Sequence, residues 1–491
     1  MTTGHPPDSI ERFLDLILDT RFEDLPPAAV SAASVFFLDT AGVACAGRLA
    51  PKMNELLGAA RGWGGTGEAP VAVWNAGATA SAPVAALLNG YQCHALEYDC
   101  VFERGVILPT APIFAALIAQ AERLAAAGEP PSGKALLTAF TVAIEVSCTL
   151  AAAARSGMFF FRPSTTGLFS ALAAIACLRP LPREQLRHAF GIGYSQVCGP
   201  MQAHEEGSMM LAMQMGFAAR NAVQAYDMAE VGITGPAQVL DGRFGFFHNF
   251  EHDSAIDEAL RELAAPWKVT QLSHKPFPSG RVTHGAIHAL RELQRELDIP
   301  AGAVPEAVRS IVVRMPPLGT RLVGRPMIHR PAPNYARLCV PFVAATQLLH
   351  GSVDPNSFLP ARLADPAIEQ LARKVQAVEK PHPDPNAFYP QELDLVLTDG
   401  RVIHRDIPFA WGHPQLPLTA QEREDKFRLC WRLTRDASAR GEAQMEQAIA
   451  WLREPAHRPD CRFLLELLAG DSRDDAGADP DAAAGGIHST R

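Results

Sequence analysis

Along residues 9–265, Ala and Leu recur at spacings of three and four, as in "FAALIAQAERLAAAG" (114–128) and "GKALLTAFTVAIEVSCTLAAAARSG" (133–157). Several of these windows are apolar on every side, which a helix sustains only when other helices cover it. The pattern therefore predicts a helix pack, with no alternation of strand and helix. In "PSTTGLFSALAAIACL", Ser164, Thr165 and Thr166 precede an alanine-rich run, where one hydroxyl is expected to cap the helix amides. A similar start is expected at Thr283, ahead of "HGAIHALRELQREL". A helix over 83–98 completes this reading of the first half.

The periodicity changes after residue 300. "VRSIVVRM" (308–315) has strand composition, and "ELDLVLTDGRVIHRDI" (392–407) alternates on both sides of Asp399 and Gly400, a hairpin signal. Between them, "NYARLCVPFVAATQLLHG" and "DPAIEQLARKVQAVEK" read as helices, and a helical pattern returns at "TAQEREDKFRLCWRLT". The expected fold is mainly α with an α/β insertion. A large discontinuous all-helical domain (1–266 and 406–470) would carry a smaller α/β domain (267–405). The tail 471–491 has almost nothing to bury and reads as disordered.

The length of 491 residues and 48% hydrophobic content allow a large core in more than one domain. A net charge of −9 offers no broad positive field for a phosphate backbone, so nucleic acid is not an expected partner. The N-terminal "MTTGHPPDSIERFLDLILD" lacks the basic and apolar regions of a signal peptide, and runs such as "LLTAFTVAI" read as too short to cross a bilayer. The nine cysteines are scattered through apolar windows. They read as free thiols, which points to the cytoplasm.

Candidate chemistry concentrates in "NGYQCHALEYDCVFERGVILP" (89–109), which brings in His94, Glu97, Asp99 and Glu103. On a helix, His94 and Glu97 would share a face, giving a general base with a carboxylate to fix its tautomer. The same spacing equally describes a polar helix end. As metal ligands these residues lack a second half with recognised spacing, so no metal or cofactor is expected. In "SHKPFPSGRVTH", Lys275 stands before a helix start with Arg281 and His284 alongside, placed to bind an anion or to serve as solvated loop charge. His204 and Arg220 fall in "MQAHEEGSMMLAMQMGFAARNAVQAY", whose methionines read as helix packing. The chain has neither a glycine-rich phosphate loop after a strand nor a serine-hydrolase elbow.

The order of "FFLDTAGVACAG", "LLNGYQCHALEYD", "RPSTTGLFSALAAIACL", "GFAARNAVQAYDMAEVGITGPAQVLDGRFGFF", "KPFPSGRVTHGAIHAL", "LDLVLTDGRV" and "GHPQLPLTAQEREDKF" over about 35–430 resembles the MmgE/PrpD family. That family includes 2-methylcitrate dehydratase, cis-aconitate decarboxylase and iminodisuccinate epimerase. The resemblance implies a discontinuous helical domain with an α/β domain, a homodimer, no cofactor, and a cleft that takes di- or tricarboxylic acids. It carries over residue by residue. His94 and Asp99 match the family's aspartate-rich motif, Glu97 replaces its first aspartate, and Lys275 is retained. Val101 stands at the motif's threonine, Leu108 at the histidine before Pro109, Arg162 at the second histidine, and Leu211 at a lysine position. Valine and leucine cannot transfer protons, so only part of the dehydratase or decarboxylase set is present.

On this resemblance the expected activity is a lyase acting on a carboxylic acid. Glu97 or His94 would remove the α-proton, Lys275 or His284 would protonate the departing group, and Asp99, Arg162, Arg281 and Tyr335 would bind substrate. Arg162 is the expected two-pronged carboxylate clamp. Two alternatives stand beside it: an epimerase or isomerase at a carbon next to a carboxylate, and a lapsed relative that binds a carboxylate or serves as a partner subunit.

Overall fold

The computed structural model describes residues 8–470, except 65, 66, 68, 299, 303–306, 436 and 437. The expected disordered tail, 471–491, lies outside the described residues. The fold is mainly helical with a smaller α/β insertion.

At the centre, the helices Thr110–Ala126, Gly133–Ala152, Arg162–Leu178 and Met210–Glu230 pack on one another and on Ala82–His94. Their uniform apolarity follows from this burial: Phe114, Leu137, Phe140, Ile144, Phe169 and Leu172 are all fully enclosed. The sequence window around "LLTAFTVAI", expected to be too short for a bilayer, belongs to a 20-residue helix with the length and hydropathy to span one. Of its most apolar window, 94% is buried inside the protein. Pro27–Leu49 passes the same test of length and hydropathy.

Glycine sets a close contact between two of these helices. A Cβ on Gly216 would meet the Leu87 carbonyl oxygen at 2.2 Å, and one on Gly90 would meet the Gly216 Cα at 2.9 Å. Bare glycine on both sides lets Ala82–His94 and Met210–Glu230 approach backbone to backbone.

The helical pattern after 406 closes onto the first half. Helix Ala420–Arg432 packs against Pro27–Ala46 and starts with a capping box between Thr419 and Glu422. Within that contact the buried Lys426 ammonium pairs with Asp39 at 2.8 Å.

Two short strands, β1 (Val71–Val73) and β2 (Ala78–Ala80), form an antiparallel pair beside the helices. The main sheet has β3 (Val308–Met315), β4 (Val375–Glu379), β5 (Gln391–Leu397) and β6 (Val402–Ile407), in the order β4-β3-β5-β6. The β3 and β4 strands are parallel, and the other pairings are antiparallel. Alternate residues of β5 are buried, and helices His284–Glu296 and Val340–His350 pack on the sheet.

Several local expectations are corrected. "DPAIEQLARKVQAVEK" is not one helix: Pro366–Ala372 is helical and Val375–Glu379 is β4, because Val375 and Val378 find the open edge of β3. "NYARLCVPFVAATQLLHG" is broken into Pro333–Arg337 and Val340–His350. None of Ser164, Thr165 and Thr166 caps a helix, since the helix already begins at Arg162 and these hydroxyls donate to carbonyls. Thr283 precedes its helix but makes no side-chain cap; its hydroxyl donates to the Gly280 carbonyl.

Candidate active site

Helix Ala82–His94 ends four residues before the expected 98. The chain turns at Glu97, whose N–H donates to the His94 carbonyl at 2.8 Å and whose φ is +52°. A non-glycine residue in the left-handed region costs about 1 kcal/mol or more, and such strain clusters at functional sites. Here it swings the Glu97 carboxylate back toward His94. Helical spacing therefore does not join these two side chains; the turn does.

Four charges alternate along a line. The fully buried Asp99 carboxylate accepts from His94 Nδ1, at 2.9 Å and 3.1 Å to its two oxygens. His94 Nε2 lies 3.3 Å from Glu97 Oε1 without an aligned hydrogen bond. Lys275 Nζ then donates to Glu97 Oε2 at 2.9 Å and to the Glu97 carbonyl at 3.2 Å. Burial works against the imidazolium of His94, but Asp99 and Glu97 outweigh it and lift its pKa to about 10. Burial likewise favours the neutral acid at Glu97, yet Lys275 and His94 hold that carboxyl well below the usual carboxylate range. The resting state at neutral pH thus has a charged His94 between two carboxylates. Glu97 is the member of the line most open to its surroundings, with 12% of its side chain exposed against 0% or 1% for the others.

Glu97 and Lys275 open into a cavity of about 60 Å³, lined from both halves of the chain. Val101, Leu108 and Leu211 stand in its wall. So do Phe161 and Pro163 from the helical part and Leu322, Leu338 and Phe388 from the insertion. His204 is also in the wall and buried; among the described residues neither ring nitrogen has a well-aligned hydrogen bond, and the Leu322 backbone interacts with the ring. Burial first and Arg325 second push its pKa down to about 4, so its ring is neutral. Sequence reading named His204 but gave it no role; a polar residue just ahead of a small-residue helix was the available signal.

The remaining expected site residues sit elsewhere or are already engaged. Arg162 is the clearest correction. Its Nε and Nη2 donate to Glu251 at 2.7 Å and 2.9 Å, Nη1 to Asn386 Oδ1, and Nη2 also to the Ser156 carbonyl. The guanidinium is buried outside the cavity wall, so the two-pronged carboxylate it grips is the protein's own Glu251. Arg281 lines the cavity, but its donors go to Glu103 at 2.7 Å and to the carbonyls of His274, Ala410 and Trp411.

His284 is not part of the wall. Its Nε2 meets the Ser279 carbonyl and its Nδ1 faces Arg281, while burial, then Arg281, hold its pKa well below the ordinary value. It braces Arg281 and has no proton to deliver. Tyr335 donates its hydroxyl to the Pro326 carbonyl and stacks its ring under Arg325, again away from the cavity. Asp99 is sealed behind His94 and orients it, with no surface left for a substrate. Arg220 also stays out of the wall; it donates to Asn221 and lies over Phe217.

A helical body, an α/β insertion and a cavity walled from both, with linked titratable groups at one end, define the general class. The MmgE/PrpD N-terminal domain matches residues 11–259 and the MmgE/PrpD C-terminal domain matches residues 277–451, so the chain belongs to the MmgE/PrpD family. It is similar to the cis-aconitate decarboxylase of Homo sapiens, with 27% identity over 405 residues, 79% of each chain. The cis-aconitate decarboxylase of Aspergillus terreus is 24% identical over 465 residues, 91% of this chain and 93% of the relative. The cis-aconitate decarboxylase-like protein oryM of Aspergillus oryzae is 26% identical over 405 residues.

Proposed function

We propose that the protein is a lyase that acts on a carboxylic acid by moving a proton at the carbon next to the carboxylate. The observation that carries this reading is the alternating line Asp99, His94, Glu97, Lys275, which ends at the wall of an otherwise mostly apolar cavity. The family membership and the decarboxylases among the relatives support it.

In this mechanism the Lys275 ammonium holds the substrate carboxylate. The ammonium then serves two anions, its grip on Glu97 weakens, and the Glu97 carboxylate becomes a stronger base. Glu97 takes the proton beside the substrate carboxylate, and the charged His94 behind it stabilises the line while charge moves. His204, neutral and without a well-aligned hydrogen bond in the wall, faces the leaving or newly protonated group.

The test is proton NMR in deuterated water with a panel of carboxylic acids. New vinyl signals, or loss of a carboxylate from the product, support the lyase. Exchange at the α-carbon without elimination would replace it by epimerisation. A Lys275→Met variant that loses substrate binding supports the assigned role, whereas unchanged binding and turnover remove it.

A further inference from the structure

Resting on that reading, the geometry points to a substrate with one carboxylate on an otherwise apolar frame, carrying a single neutral oxygen near His204. Three observations meet here. First, most of the cavity wall is hydrocarbon, with Val101, Leu108, Leu211, Leu322, Leu338 and Phe388 among its side chains. Each of these stabilises a substrate methyl or methylene and offers no donor to an anion.

Second, the cations of the wall already have anionic partners. Lys275 pairs with Glu97 and Arg281 with Glu103, and the donors of Arg281 are further occupied by backbone carbonyls. Lys275 makes two hydrogen bonds in the resting state, both to Glu97, so a third N–H is free for one incoming carboxylate. Arg325 and Arg337 each keep one buried nitrogen without a hydrogen-bond partner, but neither is part of the wall. Arg325 lies over Tyr335 and donates to the His204 carbonyl; Arg337 lies over Phe358 and donates to the Leu96 carbonyl. From outside the wall they supply positive field to an anion at Lys275.

Third, His204 is buried and neutral, and among the described residues its ring meets the Leu322 backbone without a well-aligned hydrogen bond. A neutral imidazole has one donor and one acceptor, which suits a hydroxyl or carbonyl group and gives little to a carboxylate. A second carboxylate would therefore rest among alkyl groups with its hydration lost and nothing to replace it.

The experiment is calorimetric titration of the full chain with a matched pair, 3-hydroxyhexanoate and 3-hydroxyadipate. They differ only in whether the far end of a six-carbon chain is methyl or carboxylate. The monoacid is expected to bind about a hundredfold more tightly, since the diacid must strip a charge of water without a partner. Leu211→Lys is expected to reverse the preference by placing a cation in the wall. Equal or tighter binding of the diacid by the unmodified protein overturns the inference, and so does failure of the monoacid to bind. Deuterium exchange on the bound acid separates this from the proposed chemistry. Preference for the monoacid without exchange leaves the substrate class standing and removes the proton-transfer reading; exchange on a preferred diacid does the reverse.

Discussion

Asp99→Asn tests the charge line at its deepest point. Asparagine keeps the size of the side chain and still offers an oxygen to His94 Nδ1, so the perturbation is close to the loss of one buried negative charge. In the native protein Asp99 is the larger of the two contributions that outweigh burial at His94. Lifting an imidazole from 6.5 to about 10 corresponds to a preference for the charged form of about 5 kcal/mol as an upper figure. Removing Asp99 should lose roughly half of that or more, about 2–4 kcal/mol, within the range for breaking a buried ion pair.

The sign follows from linkage. His94 has a raised pKa in the folded protein, so its contribution is complete below 6.5 and is lost as pH rises through about 10. Melting temperature measured across pH 6 to 10.5 should fall steadily in the unmodified protein from about 6.5 to about 10, where the folded state still holds the His94 proton and the unfolded chain has released it. In Asp99→Asn the curve should start lower and fall less over that range, as the folded His94 value moves back toward the unfolded one. Imidazole nitrogen shifts read the same titration directly. A neutral His94 in the unmodified protein at pH 7, or a variant with the same pH curve, would refute the charge assignment.

Glu97→Gln removes the base and should lower turnover at least about a hundredfold, with a smaller change in substrate affinity, as kcat and KM measured separately will show. Arg162→Met strands Glu251 in the interior and should cost about 3–5 kcal/mol in denaturant unfolding; a raised KM with unchanged stability would restore the substrate-clamp role. Gly216→Ala forces a methyl against the Leu87 carbonyl, so a melting temperature within 1 °C of the original would contradict the close helix contact. The depressed pKa values of buried His204, His274 and His284 mean that the unfolded chain binds protons the native state refuses. Stability should therefore fall as pH drops below 6.5, and the paired His94 will not offset this because it is charged in both states there. A flat melting curve from pH 7 to 5 would oppose it.

Much of the fold was legible because burial leaves periodic marks. The all-round apolarity of Gly133–Ala152 and the alternation around Asp399 and Gly400 each admit one element type, and the structure has those elements. The segment 375–379 was read wrongly because five residues carry too little periodicity; the edge of β3 decided it. The helix start falls ahead of Ser164 but directly after Thr283 as expected, and at both places the hydroxyls found carbonyl acceptors in place of helix amides.

The chemical residues divide along the same line. Sequence alone determined that His94, Glu97, Asp99 and Lys275 are present in a family order, and that Val101, Leu108 and Leu211 cannot carry protons. Only the tertiary structure decided which groups share a cavity and which are spent on the protein itself. Arg162 and Arg281 have the same chemistry in sequence as free anion binders, but Glu251 and Glu103 lie 89 and 178 residues away along the chain and reach them only after folding. The alternating line at Glu97 likewise needs a left-handed turn and a lysine from a distant segment. Local pattern fixes what a side chain is able to do; the competition among buried partners fixes what it is left free to do.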